Sequence, residues 1–205
     1  MRPEDYANKN LKEAIENTGD SEEEIHDMRV SLRKYYVVSS SLSKLYYNPE
    51  CLYITRRVLK KLGIIRDFDV IGCYSIDREK EVKYVLDKVR LLSGCYLPKL
   101  YGSKLMVYEK LYFIYEGIKK EDGFHEFRKK VRNSYYLLES VGEELSKNLK
   151  EISRELGEIR DKVIKATCNF SSNIPYDEGI VLEVKAILRE AIMKSEFEHL
   201  KARFK

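Results

Sequence analysis

The sequence predicts an all-α protein made of two related halves. Apolar residues recur at helical spacing through most of the 205 residues, and only four prolines and ten glycines interrupt them. Two phrases also occur twice in the same order. An H-x-x-R-x-x-x-R pattern begins at His26 and again at His125, and a Leu-Gly-x-Ile-Arg-Asp pattern begins at Leu62 and again at Leu156. An internal repeat of this kind indicates that each half is one structural unit.

Four helices are predicted in the first half. The first ends at the polar run 17–20. A capping box of Ser21 and Glu24 opens the second, which should run to about Tyr47. The third and fourth helices follow at about 49–72 and, after an Asp77 cap, at about 78–92.

The second half repeats this arrangement. Its tyrosine-rich fifth helix ends at Gly117, Asp122 caps the sixth, and the seventh and eighth lie on either side of a loop at 169–175. The seventh is expected over about 142–166. The prediction is therefore two pseudo-twofold-related four-helix halves packed into one domain, 1–205, with a first repeat at about 1–95 and a second at about 97–203.

Positive charge is concentrated in one segment, although the net charge of the chain is only +4. Residues 1–25 carry a net charge of −5, and residues 26–66 carry +7. Charge that is concentrated in this way implies an anionic partner more than it implies any fold.

The repeated histidine phrase places cations where an amphipathic helix would be apolar. Positions i, i+3 and i+7 share one helix stripe, so His26, Arg29 and Arg33 project together. In the second copy the same stripe holds His125, Arg128 and Arg132. Because burying unpaired guanidinium groups is costly, these stripes need counter-charges.

Asp67 and Asp161, which end the two Leu-Gly phrases, are the predicted ion-pair partners. The adjacent Gly63 and Gly157 suggest close helix packing. One interpretation is therefore a symmetric ion-pair network that holds the halves together. Two aspartates cannot balance all the cations that lie in or near the repeated phrases. These cations are Arg29, Arg33, Lys34, Arg57, Lys60, Arg66, Arg128, Lys129, Arg132 and Arg160. With His26 and His125, these residues are the candidates for binding a polyanion in a basic groove or pore.

Other kinds of site receive little support. The chain has no glycine-rich phosphate loop and no H-E-x-x-H motif, so we predict no catalytic residue, no metal and no cofactor. It shows no apolar run long enough to span a membrane and no signal peptide, and a cytoplasmic location is expected. Its four cysteines, Cys51, Cys73, Cys95 and Cys168, are interpreted as small buried hydrophobic residues. The chain contains no Gln, which weakly favours a thermophilic source for the protein.

The two phrases resemble those of the CHAD family, the conserved histidine α-helical domain. In the second half the resemblance also includes Tyr136 and Glu139, and it covers residues 3 to about 200. It implies a fold of two helical halves around a basic central cavity, binding of inorganic polyphosphate and no catalytic activity. Association with polyphosphate granules is compatible with this function. Some family members carry a fused triphosphatase-type domain, of which this chain shows no sign.

The chain departs from the family at two positions. The family usually places further arginines after those matched by Arg33 and Arg132, where this chain has Tyr36 and Tyr135. Fewer cations weaken the electrostatic attraction for a polyanion. Two alternatives therefore remain open from the sequence: an RNA- or DNA-binding protein that uses the same cations, and an accessory subunit of a phosphate-metabolising enzyme.

Overall fold

The computed structural model describes residues 1–17, 19–73, 75–119, 123–170 and 174–203, and their side chains as far as Ser195. These residues contain eight α-helices and no strand, as the sequence predicts. The helices are α1 (Pro3–Glu16), α2 (Glu22–Ser41), α3 (Pro49–Ile71), α4 (Arg78–Arg90), α5 (Ser103–Gly117), α6 (Phe124–Val141), α7 (Ser146–Thr167) and α8 (Glu178–Arg203). A short 3₁₀ turn, Leu91–Gly94, follows α4.

Local sequence explains most helix ends. The Ser21–Glu24 capping box is present at the start of α2. Gly72, in the left-handed conformation with φ of 71°, ends α3 near the expected position. Asp77 caps α4 by accepting a hydrogen bond from the Lys80 amide. The capping residue of α6 is Gly123, and the predicted cap Asp122 lies outside the described residues.

Two predicted helix boundaries are wrong. The second helix ends at Ser41 instead of about Tyr47, and the Ser41 hydroxyl donates to the Val38 carbonyl. Serine side chains that bond to nearby carbonyls compete with continued helix, which accounts for the early end. The seventh helix begins at Ser146 instead of 142, because Gly142 adopts a positive φ and ends α6.

One hydrophobic cluster draws residues from both halves, including Leu32, Leu62, Phe127, Leu156 and Leu188, which are all fully buried. Across the two halves α2 contacts α6 and α3 contacts α7, while α1 packs on α6 and α5 packs on α2. These reciprocal contacts are the ones that a twofold relation predicts. The superposition of the two halves and the single-domain boundaries stay predictions.

The structure joins all four cysteines in disulfide bonds, whereas the sequence favoured small buried hydrophobic residues and left their pairing open. Cys51 pairs with Cys95 and Cys73 pairs with Cys168, with Cα–Cα distances of 5.7 and 5.5 Å. The first bond lies within the first half, and the second joins the C-terminal ends of α3 and α7. The partners are 44 residues apart in the first bond and 95 residues apart in the second. Tertiary packing therefore brings them together, and no short sequence motif predicts the pairs.

The two glycines of the Leu-Gly phrases do not mediate close backbone packing, contrary to the prediction. A Cβ atom at Gly63 would meet only Arg29 Nη2, at 3.5 Å, and a Cβ atom at Gly157 would meet no other atom within 4 Å. The space beside Gly63 is therefore occupied by the Arg29 guanidinium.

Among the described helices, none has both the length and the apolar character needed to cross a membrane.

Candidate functional site

A large cavity opens between α2, α3, α4 and α6, with a volume of about 1140 Å³. Its polar lining is basic, and none of the described residues that line it is an Asp or a Glu. The basic residues of the lining are Arg33, Arg56, Arg57, Lys60, Lys61, His125, Lys129 and Arg132. A wall with this composition attracts anions. Two of its cations also have carboxylate partners outside the lining, since Lys61 pairs with Glu81 and Lys129 with Glu126, both at 2.9 Å.

The two histidine phrases meet at this cavity. Arg33 of α2 and Arg132 of α6 both line it, and the guanidinium of Arg29 lies beside the lining residue Gly63. Arg29, Arg33, Arg128 and Arg132 form what we call the arginine cluster, of which Arg33 and Arg132 line the cavity and Arg29 and Arg128 do not. Burial, reinforced by mutual repulsion, lowers the pKa of Arg29 and of Arg128 to about 10. The pKa of Arg33 falls well below its usual range for the same two reasons, burial first and the charge of Arg132 next.

Three members of the arginine cluster hold a polar atom that has no partner. The Nε atoms of Arg29, Arg128 and Arg132 are buried and donate no hydrogen bond to any described residue. None of the four arginines forms an ion pair with a described carboxylate either. A buried N–H group without an acceptor costs roughly 1–3 kcal/mol, and more when the group is charged. Several such donors in one place need acceptors from outside the described residues, which ordered water or an anion can supply.

The predicted ion-pair partners both bind the same arginine. Arg160 of α7 donates two hydrogen bonds to Asp67 of α3, at 2.9 and 3.0 Å, and a third to Asp161 at 2.8 Å. Burial alone would lower the pKa of Arg160, but the two carboxylates raise it overall. Arg160 is therefore neutralised within the protein. Arg66, its counterpart in the first half, has no ion pair with any described residue.

Lys34 also has a counter-charge within the protein. Its Nζ lies 3.0 Å from the Glu139 carboxylate and 5.6 Å from the centre of the Tyr6 ring. Glu139 accepts further hydrogen bonds from the hydroxyls of Tyr6 and Tyr135. Burial raises the pKa of Glu139, but these donors outweigh it and the net shift is downwards. Lys34 does not line the cavity, so its predicted role in anion binding receives no support from its position.

The two histidines differ in position. His125 lines the cavity, whereas His26 does not. Partial burial lowers the pKa of both imidazoles, with Arg66 adding to the effect at His26 and Lys129 at His125. Both rings are therefore neutral near pH 7 in the empty protein, and each is poised to gain a proton beside an anion.

The remaining predicted cations lie mainly at the edge of the cavity. Arg57 and Lys60 line it with exposed side chains, and Lys129 lines it while bonding to Glu126 at 2.9 Å. Arg66 does not line the cavity, but its charge acts on Arg29 and His26. In the parts of the chain for which side chains are described, no group of three His, Cys, Asp or Glu residues could hold a metal ion.

The sequence interpretation missed several residues of the lining. On α3, Tyr53, Arg56, Lys61 and Ile64 line the cavity beside the predicted cations. Their spacing from 53 to 64 follows one helix face, which is a signal that the sequence could have given. Tyr84 comes from α4, and only the packing of α4 on α3 brings it here.

No protein-family model and no curated protein matches the chain. Among solved structures, the chain is similar to the crystal structure of the CHAD domain from the plant Ricinus communis, with 18% sequence identity and a TM-score of 0.49. The match covers 92% of this chain and 82% of that chain. At this level the similarity concerns the fold alone.

Proposed function

We propose that the cavity binds inorganic polyphosphate, or a similar phosphate polyanion, without catalysing a reaction. The observation that carries this proposal is the arginine cluster. It brings four guanidinium groups together without a carboxylate, and three of them keep a buried donor unpaired. A phosphate anion supplies both the missing charge and the missing acceptors.

The cations would act in two ways. Arginines of the cluster offer planar donors that match phosphate oxygens, so they fix the ligand by short, directed hydrogen bonds. The exposed Arg57 and Lys60 add charge at the edge of the cavity, where solvent screens each contact. A bound anion also offsets the repulsion within the cluster, because each guanidinium gains an opposite charge beside the like charges of its neighbours.

Two stripes of cations, one on α2 and one on α6, favour a linear chain of phosphates as the ligand. Phosphates repeat along a linear chain, so one molecule can contact the α2 stripe and the α6 stripe simultaneously. The second contact then forms at high effective concentration. Orthophosphate and triphosphate offer fewer contacts and should bind far more weakly than long chains.

Binding of long-chain polyphosphate at several salt concentrations tests the proposal. The logarithm of the affinity should fall linearly with the logarithm of the salt concentration, as it does when phosphates displace counterions. Replacing Arg29 and Arg33 together by Ala should weaken binding by about 100-fold, equivalent to roughly 2.7 kcal/mol. The matched control replaces two exposed arginines outside the cavity, Arg154 and Arg189, and should bind like the wild type.

Competition separates this proposal from nucleic-acid binding. Excess RNA or DNA should leave polyphosphate bound if the cavity is built for a narrow inorganic chain. Displacement by modest amounts of nucleic acid would instead favour the nucleic-acid alternative. Unchanged binding by the Arg29→Ala, Arg33→Ala variant, with helical circular dichroism intact, would place the binding site elsewhere.

A further inference from the structure

The lining of the cavity also offers surfaces that an inorganic phosphate chain does not use. We call its aromatic and aliphatic part the tyrosine wall, and it comprises Tyr36, Val37, Tyr53, Leu59, Ile64 and Tyr84. Polyphosphate consists of charged oxygens and phosphorus, so it gains nothing from contact with aromatic rings or aliphatic side chains. A ligand that fits the whole cavity needs an apolar or aromatic part as well as its phosphates.

Two tyrosines of this wall are held in place by neighbouring cations. Arg57 donates a hydrogen bond of 3.0 Å to the Tyr53 hydroxyl, and its guanidinium lies 5.6 Å from the centre of the ring. The Tyr84 ring has the ammonium groups of Lys61 and Lys88 at 5.8 and 5.9 Å from its centre. Rings fixed in this way lose little conformational entropy when a ligand packs on them.

The charged and aromatic parts of the cavity differ in depth. Arg33 and Arg132 are partly buried, with the Arg132 Nε fully enclosed, whereas the Tyr53 side chain remains 59% exposed. An anion that enters phosphates first would reach the arginines and leave its other end at Tyr53. The cavity volume of about 1140 Å³ is ample for a ligand of nucleotide size.

We propose that the cavity binds nucleoside polyphosphates, with their phosphates on Arg33 and Arg132 and their base packed on the tyrosine wall. This inference rests on the proposed function, because the arginine cluster must hold the phosphates in either case. Purine and pyrimidine rings stack on tyrosine with little preference for sequence. Cations beside the rings strengthen such packing through their attraction to the π-face.

A matched pair of ligands tests the inference. ATP and inorganic triphosphate both carry three phosphates, and ATP has the lower charge in the absence of divalent cations. Charge alone therefore predicts tighter binding of triphosphate, whereas base stacking predicts the opposite order. We expect calorimetry with the full chain, in a buffer without divalent cations, to show ATP binding about tenfold more tightly than triphosphate.

Variants at the tyrosine wall identify the contact. Tyr53→Ser should lower the affinity for ATP by about tenfold and the affinity for triphosphate by much less. Tyr53→Phe retains the ring and should retain most of the ATP affinity. The control is Tyr101→Ser, which removes a 95% exposed tyrosine that does not line the cavity and should change neither affinity.

The possible outcomes separate this inference from the proposed function. Tighter binding of triphosphate than of ATP would overturn the inference and leave polyphosphate binding intact. Tighter binding of a short single-stranded oligoribonucleotide than of ATP would also overturn it, by assigning the tyrosine wall to a nucleic-acid strand. Failure of long-chain polyphosphate, triphosphate and ATP alike would overturn both proposals.

Discussion

The two copies of the Leu-Gly phrase have the same sequence pattern and opposite electrostatic environments. Arg160 is held by both aspartates, Asp67 from the other copy and Asp161 from its own. Arg66 has no ion pair with any described residue. The repeat therefore supplies two arginines and two aspartates, and the fold distributes them unequally. The lesson is that a repeated charge does not predict a repeated role.

The two copies of the histidine phrase behave more alike. Each contributes two arginines to the arginine cluster, and burial lowers the pKa of all four. Lys34 is the exception, since Glu139 neutralises it. The α2 and α6 stripes thus remain equivalent where their arginines meet. The experiments below test where the two copies are equivalent and where they differ.

The largest expected effect concerns the covalent link between the two copies. The Cys73–Cys168 bond joins the ends of α3 and α7, the helices that carry Arg66 and Arg160. Replacing both cysteines by Ser should lower the free energy of unfolding by about 4 kcal/mol, because a loop of 95 residues is no longer closed in the unfolded chain. Urea unfolding of the oxidised wild type and the variant measures this loss.

The Cys51–Cys95 bond provides the comparison, since it closes a loop of 44 residues within the first half. Its removal should cost slightly less on loop length alone. Equal urea midpoints for the oxidised wild type and the Cys73→Ser, Cys168→Ser variant would show that the link between copies contributes nothing to stability.

The second prediction tests whether the copies are equivalent in binding. Arg33→Ala and Arg132→Ala should each weaken long-chain polyphosphate binding by about tenfold, because each removes one desolvated, charge-assisted contact of roughly 1.4 kcal/mol. The two losses should agree within a few-fold. Fluorescence titration at one fixed salt concentration measures both. A large loss in one variant and none in the other would show that a single stripe holds the ligand.

The third prediction separates paired from unpaired arginines through stability. Arg128→Met should raise the free energy of unfolding by about 1–3 kcal/mol, because it removes a buried charge whose Nε has no hydrogen-bond acceptor among the described residues. Arg160→Met should have the opposite effect, since it leaves Asp67 and Asp161 without their partner. Thermal unfolding without ligand measures both. A shift of the same sign in the two variants would contradict the distinction between them.

The fourth prediction breaks the asymmetry of the Leu-Gly phrases. Asp67→Asn removes the bidentate partner of Arg160, leaves Asp161 as its remaining carboxylate and so adds one net positive charge near the cluster. Stability should fall by roughly 1–3 kcal/mol from the lost charged hydrogen bonds, while polyphosphate affinity should rise a few-fold. Asp69→Asn is a suitable control, because its partner Arg78 does not line the cavity. Unchanged polyphosphate affinity of Asp67→Asn would show that Arg160 takes no part in binding, and reduced affinity would contradict the expected gain from the added positive charge.

Local signals in the sequence were sufficient for the secondary structure and much of the cavity. The Ser21 capping box and the glycine at 72 are read within a few residues, and both occur where expected. The stripe of His125, Arg128 and Arg132 follows from helix geometry in the same way. The early end of α2 at its serine-rich segment was missed. Hydrogen bonds from serine side chains to helix carbonyls compete with continuation of the helix, and the spacing of apolar residues carries no information about such bonds.

Features that depend on tertiary packing could not be predicted. The partners of Cys51 and Cys73 lie 44 and 95 residues away. Lys34 and Arg33 are adjacent in sequence, yet only one meets a carboxylate, because Glu139 approaches from α6. Tyr84 reaches the cavity through the packing of α4 on α3. The sequence could name Asp67 and Asp161 as counter-charges, but only tertiary packing determines that both of them pair with Arg160.

The smallest expected effect concerns pH and again compares the two copies. Burial and nearby cations hold the pKa of His26 and His125 below the usual 6.5 in the empty protein. A bound polyanion favours the imidazolium and raises these pKa values, so binding takes up protons. Affinity should therefore increase a few-fold as the pH falls through the interval between the free and bound pKa values. The empty protein should lose stability as the pH falls, because the unfolded chain binds these protons more readily.

His125 lines the cavity and His26 does not, so His125→Ala should remove most of the pH dependence of binding and His26→Ala should remove little. Titrations with long-chain polyphosphate between about pH 5 and pH 8 at constant ionic strength measure the difference, and the full pH dependence of the wild type in both variants would show that neither histidine contacts the ligand.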